Sequence, residues 1–210
     1  MMISDPSKCS TSELIHHLIA EMNGSCFINK PYAEALYVGI ITDTGNFEHG
    51  SYSGSTFRTV ADLLESGIEK EKIHNLVYNN FSADRMRLMG FALNQRMVMI
   101  PGYQTAYIYL TRKDLTDYKY VKGDSEGFVN MPLSIKGILF TALFIEKDGF
   151  IKLSFRSKGS FPANEFAAKY FSGGGHLNAS GGDYFDTLGH TIDYFLKALK
   201  EFYPEHNQAT

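Results

Sequence analysis

Nowhere in the 210 residues does an apolar run approach the roughly 18 residues that suggest a membrane helix. The opening Met1-Met2-Ile3-Ser4-Asp5-Pro6 has neither the basic start nor the apolar stretch of a secretion signal. Cysteine is scarce. Cys9 and Cys26 are the only two, and their separation suits neither a zinc site nor a disulfide framework. Free thiols fit a reducing compartment, so the expectation is a soluble, cytoplasmic chain with no membrane partner. Basic charge is not in excess either. Lysine and arginine number 20 against 23 acids, a net charge of −3, which argues against a surface coated in positive charge for long nucleic acids. Gly-x-Ser-x-Gly, His-Glu-x-x-His and a phosphate-loop lysine motif are all missing. That removes the serine hydrolases, zinc proteases and P-loop enzymes that carry them.

What is present is an ordinary globular composition, 44% apolar, with enough chain for one large domain or two small ones. Its charge is unevenly spread. Residues 1–50 hold six acids against Lys8 and Lys30, whereas residues 147–169 hold Lys147, Lys152, Arg156, Lys158 and Lys169 against Asp148 and Glu165. An acidic front and a basic back suit a metal site facing an anion site, and a mixed surface produces such windows as readily.

The first part reads as helical. Ser10-Thr11-Ser12-Glu13 has capping-box spacing, and Leu14, Ile15, Leu18, Ile19 and Met22 follow on one face up to Asn23-Gly24. Pro31 can open a second helix carrying Ala33, Leu36, Tyr37, Ile40 and Ile41, although periodicity leaves Leu36–Ile41 open to a buried strand. A third helix around Phe57–Leu64 stops at Gly67, and further helical patterns cover about 69–80 and 83–97. After Pro101-Gly102 the pattern alternates as strands do, at 106–110, 137–146 and 150–156, the last two joined through Lys147-Asp148-Gly149. A short helix opening at Pro162, a glycine-rich loop and a final amphipathic helix with Leu188, Ile192, Leu196 and Leu199 complete the chain. The change of character places a domain boundary at residues 97/98.

Three places carry chemistry. Asp43, in Thr42-Asp43-Thr44-Gly45-Asn46-Phe47, falls at the carboxy end of a helix, where the dipole disfavours an acid unless a cation offsets it. A solvated Asp in a turn accounts for the same residues, and from the residues alone that is the favoured account. Ser172-Gly173-Gly174-Gly175-His176-Leu177-Asn178-Ala179-Ser180-Gly181-Gly182 exposes successive backbone N–H groups that can wrap an anion, with His176 as a further donor. In Lys152-Leu153-Ser154-Phe155-Arg156, the apolar residues face one side of a strand and Lys152, Ser154 and Arg156 the other. The arginine fork matches phosphate or carboxylate, and the glycine loop returns to it about 20 residues later. Ile15-His16-His17 lies in mid-helix and reads as structural, as do the aromatics from Tyr103 to Tyr109.

Together these segments resemble the carboxy-terminal part of the DHH/DHHA1-family phosphoesterases. Asp43-Thr44-Gly45-Asn46-Phe47 is similar to the DHH-domain motif whose Asp is a metal ligand, and Ser10-Thr11-Ser12-Glu13 to another DHH-domain segment. Gly127-Phe128-Val129-Asn130-Met131-Pro132-Leu133-Ser134-Ile135, Ser154-Phe155-Arg156-Ser157 and Gly173-Gly174-Gly175-His176 with Ala179-Ser180-Gly181-Gly182 are similar to DHHA1 motifs. The subgroup implied is the bacterial bifunctional oligoribonuclease/3′-phosphoadenosine 5′-phosphate phosphatase. The resemblance implies an α/β chain: a helix-rich remnant of a DHH domain with a connector helix in residues 1–97, then a DHHA1 domain in 98–210 with a mixed sheet flanked by helices. It implies hydrolysis of short oligonucleotides or 3′-phosphoadenosine 5′-phosphate with two Mn²⁺ or Mg²⁺ ions, in a cleft that takes a few nucleotides. Asp43 would be one metal ligand, and Arg156, Ser157, Gly174, Gly175 and His176 would hold the substrate's terminal phosphate. No catalytic acid or base is assigned to this chain.

The family's Asp-x-Asp and Asp-His-His motifs, which bring most of its metal ligands, are not found in these residues. The metal site is therefore expected to be incomplete here and the chain inactive alone. Within the family, a cyclic or linear dinucleotide phosphodiesterase and a single-strand exonuclease are the other expectations, and a nucleotide-binding module without catalysis is the expectation outside it. The chain admits a homodimer.

Overall fold

The structure is a computed structural model describing residue 5 and residues 7–23, 29–48 and 52–206. Gly24, expected to stop the first helix, and Cys26 lie outside these residues. The chain forms two compact units, Met1–Asn80 and Phe81–Thr210. Composition divides the chain at 97/98, whereas compactness divides it after Asn80. The helical pattern at 83–97 goes with the second unit because Leu88 and Ala92 bury against its sheet.

The first unit is all helix. α1 (Thr11–Asn23) starts as the capping spacing dictates: the Ser10 hydroxyl accepts the Glu13 N–H (3.1 Å), and the Glu13 carboxylate reaches back to the Cys9 N–H (2.8 Å). α2 (Lys30–Asp43) is capped by the Asn29 side chain, which accepts the Tyr32 N–H, and has Pro31 in its first turn. Leu36–Ile41 is thus helix, and α2 buries Ala33, Leu36, Tyr37, Ile40 and Ile41. α3 (Gly54–Glu65), with a Ser53/Thr56 capping box, and α4 (Lys70–Tyr78) add Leu63 and Ile73 to that core.

The second unit is built on a six-stranded mixed sheet. α5 (Ala83–Phe91) runs through a π-helical turn, Ala92–Arg96, into β1 (Met97–Ile100), a strand the sequence pattern did not announce. β2 (Thr105–Leu110), α6 (Arg112–Asp117), a 3₁₀ segment (Phe128–Ser134), β3 (Phe140–Glu146) and β4 (Ile151–Ser157) follow. α7 (Ala163–Phe171) and α8 (Leu188–His206) flank the stretch read from sequence as a glycine-rich loop. That stretch is a hairpin of β5 (Gly174–His176) and β6 (Ala179–Tyr184). The strand order is β1-β2-β3-β4-β6-β5, with β2 and β3 parallel and every other pair antiparallel. The structure therefore shows the α/β class and the mixed, helix-flanked sheet that was expected.

The two faces of the sheet are covered unequally. On one, Phe140, Phe144, Leu153 and Phe155 pack against Phe166 and Phe171 of α7 and Phe195 and Phe202 of α8. Each such aromatic contributes about 1.5–3 kcal/mol on burial. On the other, Ile108, Leu110, Leu143 and Ile145 are covered by Leu88, Ala92, Phe128 and Val129. This second cover includes no residue of β4, β5 or β6, and those strands line an open groove there. No helix among the described residues is long and apolar enough to cross a membrane.

Candidate functional site

The groove follows from strand alternation. β4 is buried at Ile151, Leu153, Phe155 and Ser157, so Lys152, Ser154 and Arg156 point to the uncovered face. The register sets Ala179 of β6 opposite Arg156, Gly181 opposite Ser154 and Asp183 opposite Lys152. On β5, His176 pairs with Ala179 and Gly174 with Gly181. Three rows result: Arg156–Ala179–His176, then Ser154–Gly181–Gly174, then Lys152–Asp183. The middle row is nearly without side chains and forms the floor. The open groove so formed has a volume of ≈ 400 Å³ and is lined by Arg156, Ser154, Lys152, Gly174, Gly181 and Asp183 among others.

Arg156 is half-buried, and its Nη1 donates to the carbonyl of Phe155 (2.9 Å). No carboxylate lies within ion-pair distance of it among the described residues. Burial consequently lowers the pKa of its guanidinium, with no neighbouring charge to offset the effect. A half-buried cation beside a floor nearly without side chains is a site that favours an anion. His176 flanks the same row two strands away, about 10 Å across the sheet, and is exposed, its side chain without a hydrogen bond among the described residues.

Of the other residues expected at the phosphate, Gly174 lines the groove. Gly175 sits beside it at φ +145°, where an added Cβ would come 2.4 Å from the carbonyl oxygen of Ala179. Ser157 is 6% exposed and its side chain points away from the groove. Its hydroxyl donates to the Phe161 carbonyl (2.7 Å) and accepts from the Asn178 amide (2.9 Å), so the side chain secures the end of β4. Lys158 is held on the Leu133 carbonyl. Asp183 was not signalled by any motif; only the β4–β6 register brings it to the groove.

Asp43 is in the other unit, as the last residue of α2, and is exposed. The turn after it is tightly determined. Gly45, Asn46 and Phe47 all have positive φ (54°, 59° and 67°), and the turn is held by Asn46 N–H to the Ile41 carbonyl (2.7 Å) and Phe47 N–H to the Thr44 hydroxyl (3.1 Å). Two adjacent non-glycine residues in the left-handed region carry strain that packing must offset. Among the described residues, no group of three or more His, Cys, Asp or Glu side chains could hold one metal ion. Asp43 alone does not make a site for Mn²⁺ or Mg²⁺, each of which takes about six ligands. His16 and His17 do not converge with it. His16 is buried with neither ring nitrogen hydrogen-bonded, 3.6 Å from Asp62, and His17 lies 3.7 Å from Glu13.

Comparison with known proteins agrees with this architecture. The DHHA1 domain model matches residues 102–205. The chain is 27% identical over 203 residues to the bifunctional oligoribonuclease and PAP phosphatase NrnA of Bacillus subtilis, covering 96% of this chain and 63% of that protein. It is 27% identical over 179 residues to the protein of the same name from Thermus thermophilus, covering 85% and 52%. A crystal structure of an exopolyphosphatase-related protein from Bacteroides fragilis superposes with a TM-score of 0.94 at 43% identity, over 98% of this chain and 60% of that one. The chain thus spans between half and two thirds of the length of these relatives. Residues 102–205 are a DHHA1 domain, and NrnA-type relatives match over most of the chain's length at modest identity.

Proposed function

We propose that this chain serves phosphoester hydrolysis of short oligonucleotides or 3′-phosphoadenosine 5′-phosphate by holding the substrate's terminal phosphate in the groove of its DHHA1 domain. The observation that carries the reading is the row Arg156–Ala179–His176 beside a glycine floor, with Arg156 half-buried and without a carboxylate partner. Arg156 supplies a charged fork, His176 a second donor, and Ala179 between them leaves room for the anion. The names of the NrnA relatives support the reaction class. The net charge of −3 agrees with short substrates, which carry few phosphates to neutralise. The reading includes dependence on Mn²⁺ or Mg²⁺ and gives Asp43 one ligand's share of that site; no group of described residues could complete it.

The test is calorimetric titration of adenosine 5′-monophosphate and of adenosine into the chain and its Arg156→Ala and His176→Ala variants. Binding is expected to require the phosphate. A charged hydrogen bond of about 1.5–3 kcal/mol lost with Arg156 weakens binding roughly ten- to a hundredfold, and His176→Ala weakens it in the same direction. Equal binding of adenosine and its phosphate, or an Arg156→Ala protein that is folded and binds normally, overturns the reading.

A further inference from the structure

A second open groove, ≈ 470 Å³ in volume, runs along α5 and its π-helical turn and shares no lining residue with the groove at Arg156. Arg87, Gly90, Phe91, Asn94 and Gln95 line it from the helix, and Tyr118 from the end of α6. Leu88 and Ala92 of the same helical run face inward against β2 and β3, so this groove lies on the outer side of the layer that covers the sheet. Three of its features do little for the fold. Gly90 stands inside α5 without a positive φ, and an added Cβ there would meet nothing within 4 Å. A glycine inside a helix is destabilising relative to alanine, and no neighbour requires this one. The turn Ala92–Arg96 is π-helical, a rare form that is frequent at functional sites, and it brings Asn94 and Gln95 to the groove together. Their side-chain amides and the Tyr118 hydroxyl make no hydrogen bond among the described residues.

The aromatic wall of the groove is held in place. The Phe91 and Tyr118 ring centroids are 4.9 Å apart, with the planes inclined by 31°. The Arg96 guanidinium lies 4.9 Å from the Phe91 centroid and is itself fixed by two hydrogen bonds of 2.9 Å to Asp114. Beside the wall, the Asp84 carboxylate is shared by Arg87 (3.1 Å) and Lys119 (3.9 Å), which leaves one positive charge in excess. These are exposed pairs, weak enough to yield to another anion. We propose that this groove is a second nucleotide site, which takes one adenine base with its phosphate, from a free nucleotide or from a single strand. The base stacks on the Phe91–Tyr118 wall beside the open place at Gly90. The amides of Asn94 and Gln95 offer the paired donor and acceptor that match an adenine edge. Arg87 and Lys119 take the phosphate. Arg87 and Asn94 are seven residues apart, about 10 Å along the helix, so one nucleotide can reach both. The site does not depend on phosphate capture at Arg156.

The experiment is residue-resolved NMR of the 210-residue chain, titrated separately with adenosine 5′-monophosphate, cytidine 5′-monophosphate and triadenylate without a terminal phosphate. The backbone amides of Arg87–Gln95 and Tyr118 are expected to move with both adenine ligands, saturating in the millimolar range, and less with the cytidine nucleotide. Movement at lower concentration with triadenylate marks a strand as the occupant, and the reverse marks the free nucleotide. Tyr118→Ala weakens the response roughly tenfold, as loss of one stacking partner does. Asn94→Ala removes the preference for adenine over cytosine. Gly90→Leu fills the groove and abolishes the response, and leucine is a better helix former than glycine, so the unfolding midpoint should not fall. Arg156→Ala leaves all these shifts as they were. If adenosine 5′-monophosphate moves the amides of Gly174–His176 while neither adenine ligand moves those of Arg87–Gln95, the second site is wrong and the phosphate site stands. If only Arg87–Gln95 and Tyr118 respond, the phosphate site is wrong and this one stands. A folded Gly90→Leu protein that responds as wild type does would show that the ligand lies elsewhere.

Discussion

Asn178 and Ser157 lock together the two segments that form the phosphate end of the groove. The Asn178 amide donates to the Ser157 hydroxyl at 2.9 Å, and the Ser157 N–H donates to the Asn178 carbonyl at 3.1 Å. Asn178 sits in the turn between β5 and β6, and Ser157 is the last residue of β4, next to Arg156. Neither residue lines the groove, yet the pair holds the turn that carries His176 and Ala179 against the strand that carries Arg156.

Asn178→Ala is accordingly expected to weaken adenosine 5′-monophosphate binding several-fold while lowering unfolding stability by about 1–2 kcal/mol, the usual cost of lost hydrogen bonds to partly buried acceptors. Calorimetry and urea unfolding on the same samples check both. Stability that falls while binding holds would make the lock a fold element with no part in positioning the site.

Adjacent glycines separate the groove from the fold. Gly174 has open space where a side chain would start, and it does not need a positive φ. Gly174→Val should leave the unfolding midpoint close to wild type and abolish phosphate binding by filling the floor. Gly175→Ala should do the reverse of the first part. With φ +145° and a Cβ 2.4 Å from the Ala179 carbonyl oxygen, it is expected to cost about 1–3 kcal/mol or more. A Gly174→Val protein that binds phosphate normally would show that the ligand does not lie on the floor.

His16 predicts the acid sensitivity of the helical unit. It is 3% exposed, and burial holds its pKa below the ordinary 6.5, outweighing the opposing pull of Asp62. The unfolded imidazole takes up its proton near 6.5 and the folded one only at lower pH. Between those values the unfolded state binds more protons, so stability falls as pH falls, by at most about 1.4 kcal/mol per pH unit. Glu13 does not contribute in this window, since the Cys9 N–H and the Thr56 hydroxyl outweigh its burial and keep its pKa below 4.5. Denaturant unfolding of the first unit, followed by residue-resolved NMR at pH 7.5 and 5.5, should show the loss in wild type and a flatter profile in His16→Phe. Equal losses in the two proteins would assign the sensitivity to another group.

Much of the local structure is written in local chemistry. Ser10 and Glu13 cap α1 at the spacing that demands it, Pro31 opens α2, and the alternation at 140–157 is the β3–β4 hairpin. The residues from Gly173 to Gly182 were different. They carry no apolar alternation, so they read as a loop, and they become β5 and β6 because backbone pairing with β4 supplies the order that side chains do not. The same limit applies at the site. The sequence by itself determined that Arg156 and the glycine segment are chemically suited to an anion, and that Lys152, Ser154 and Arg156 share a face. Only the tertiary structure decided that Ala179 and His176 stand beside Arg156, that Ser157 turns inward, and that Asp183 faces Lys152. Those outcomes depend on strand register and on which half of a sheet face its covering layer reaches. Both are set by packing between segments distant in the chain, and no window of neighbouring residues records them.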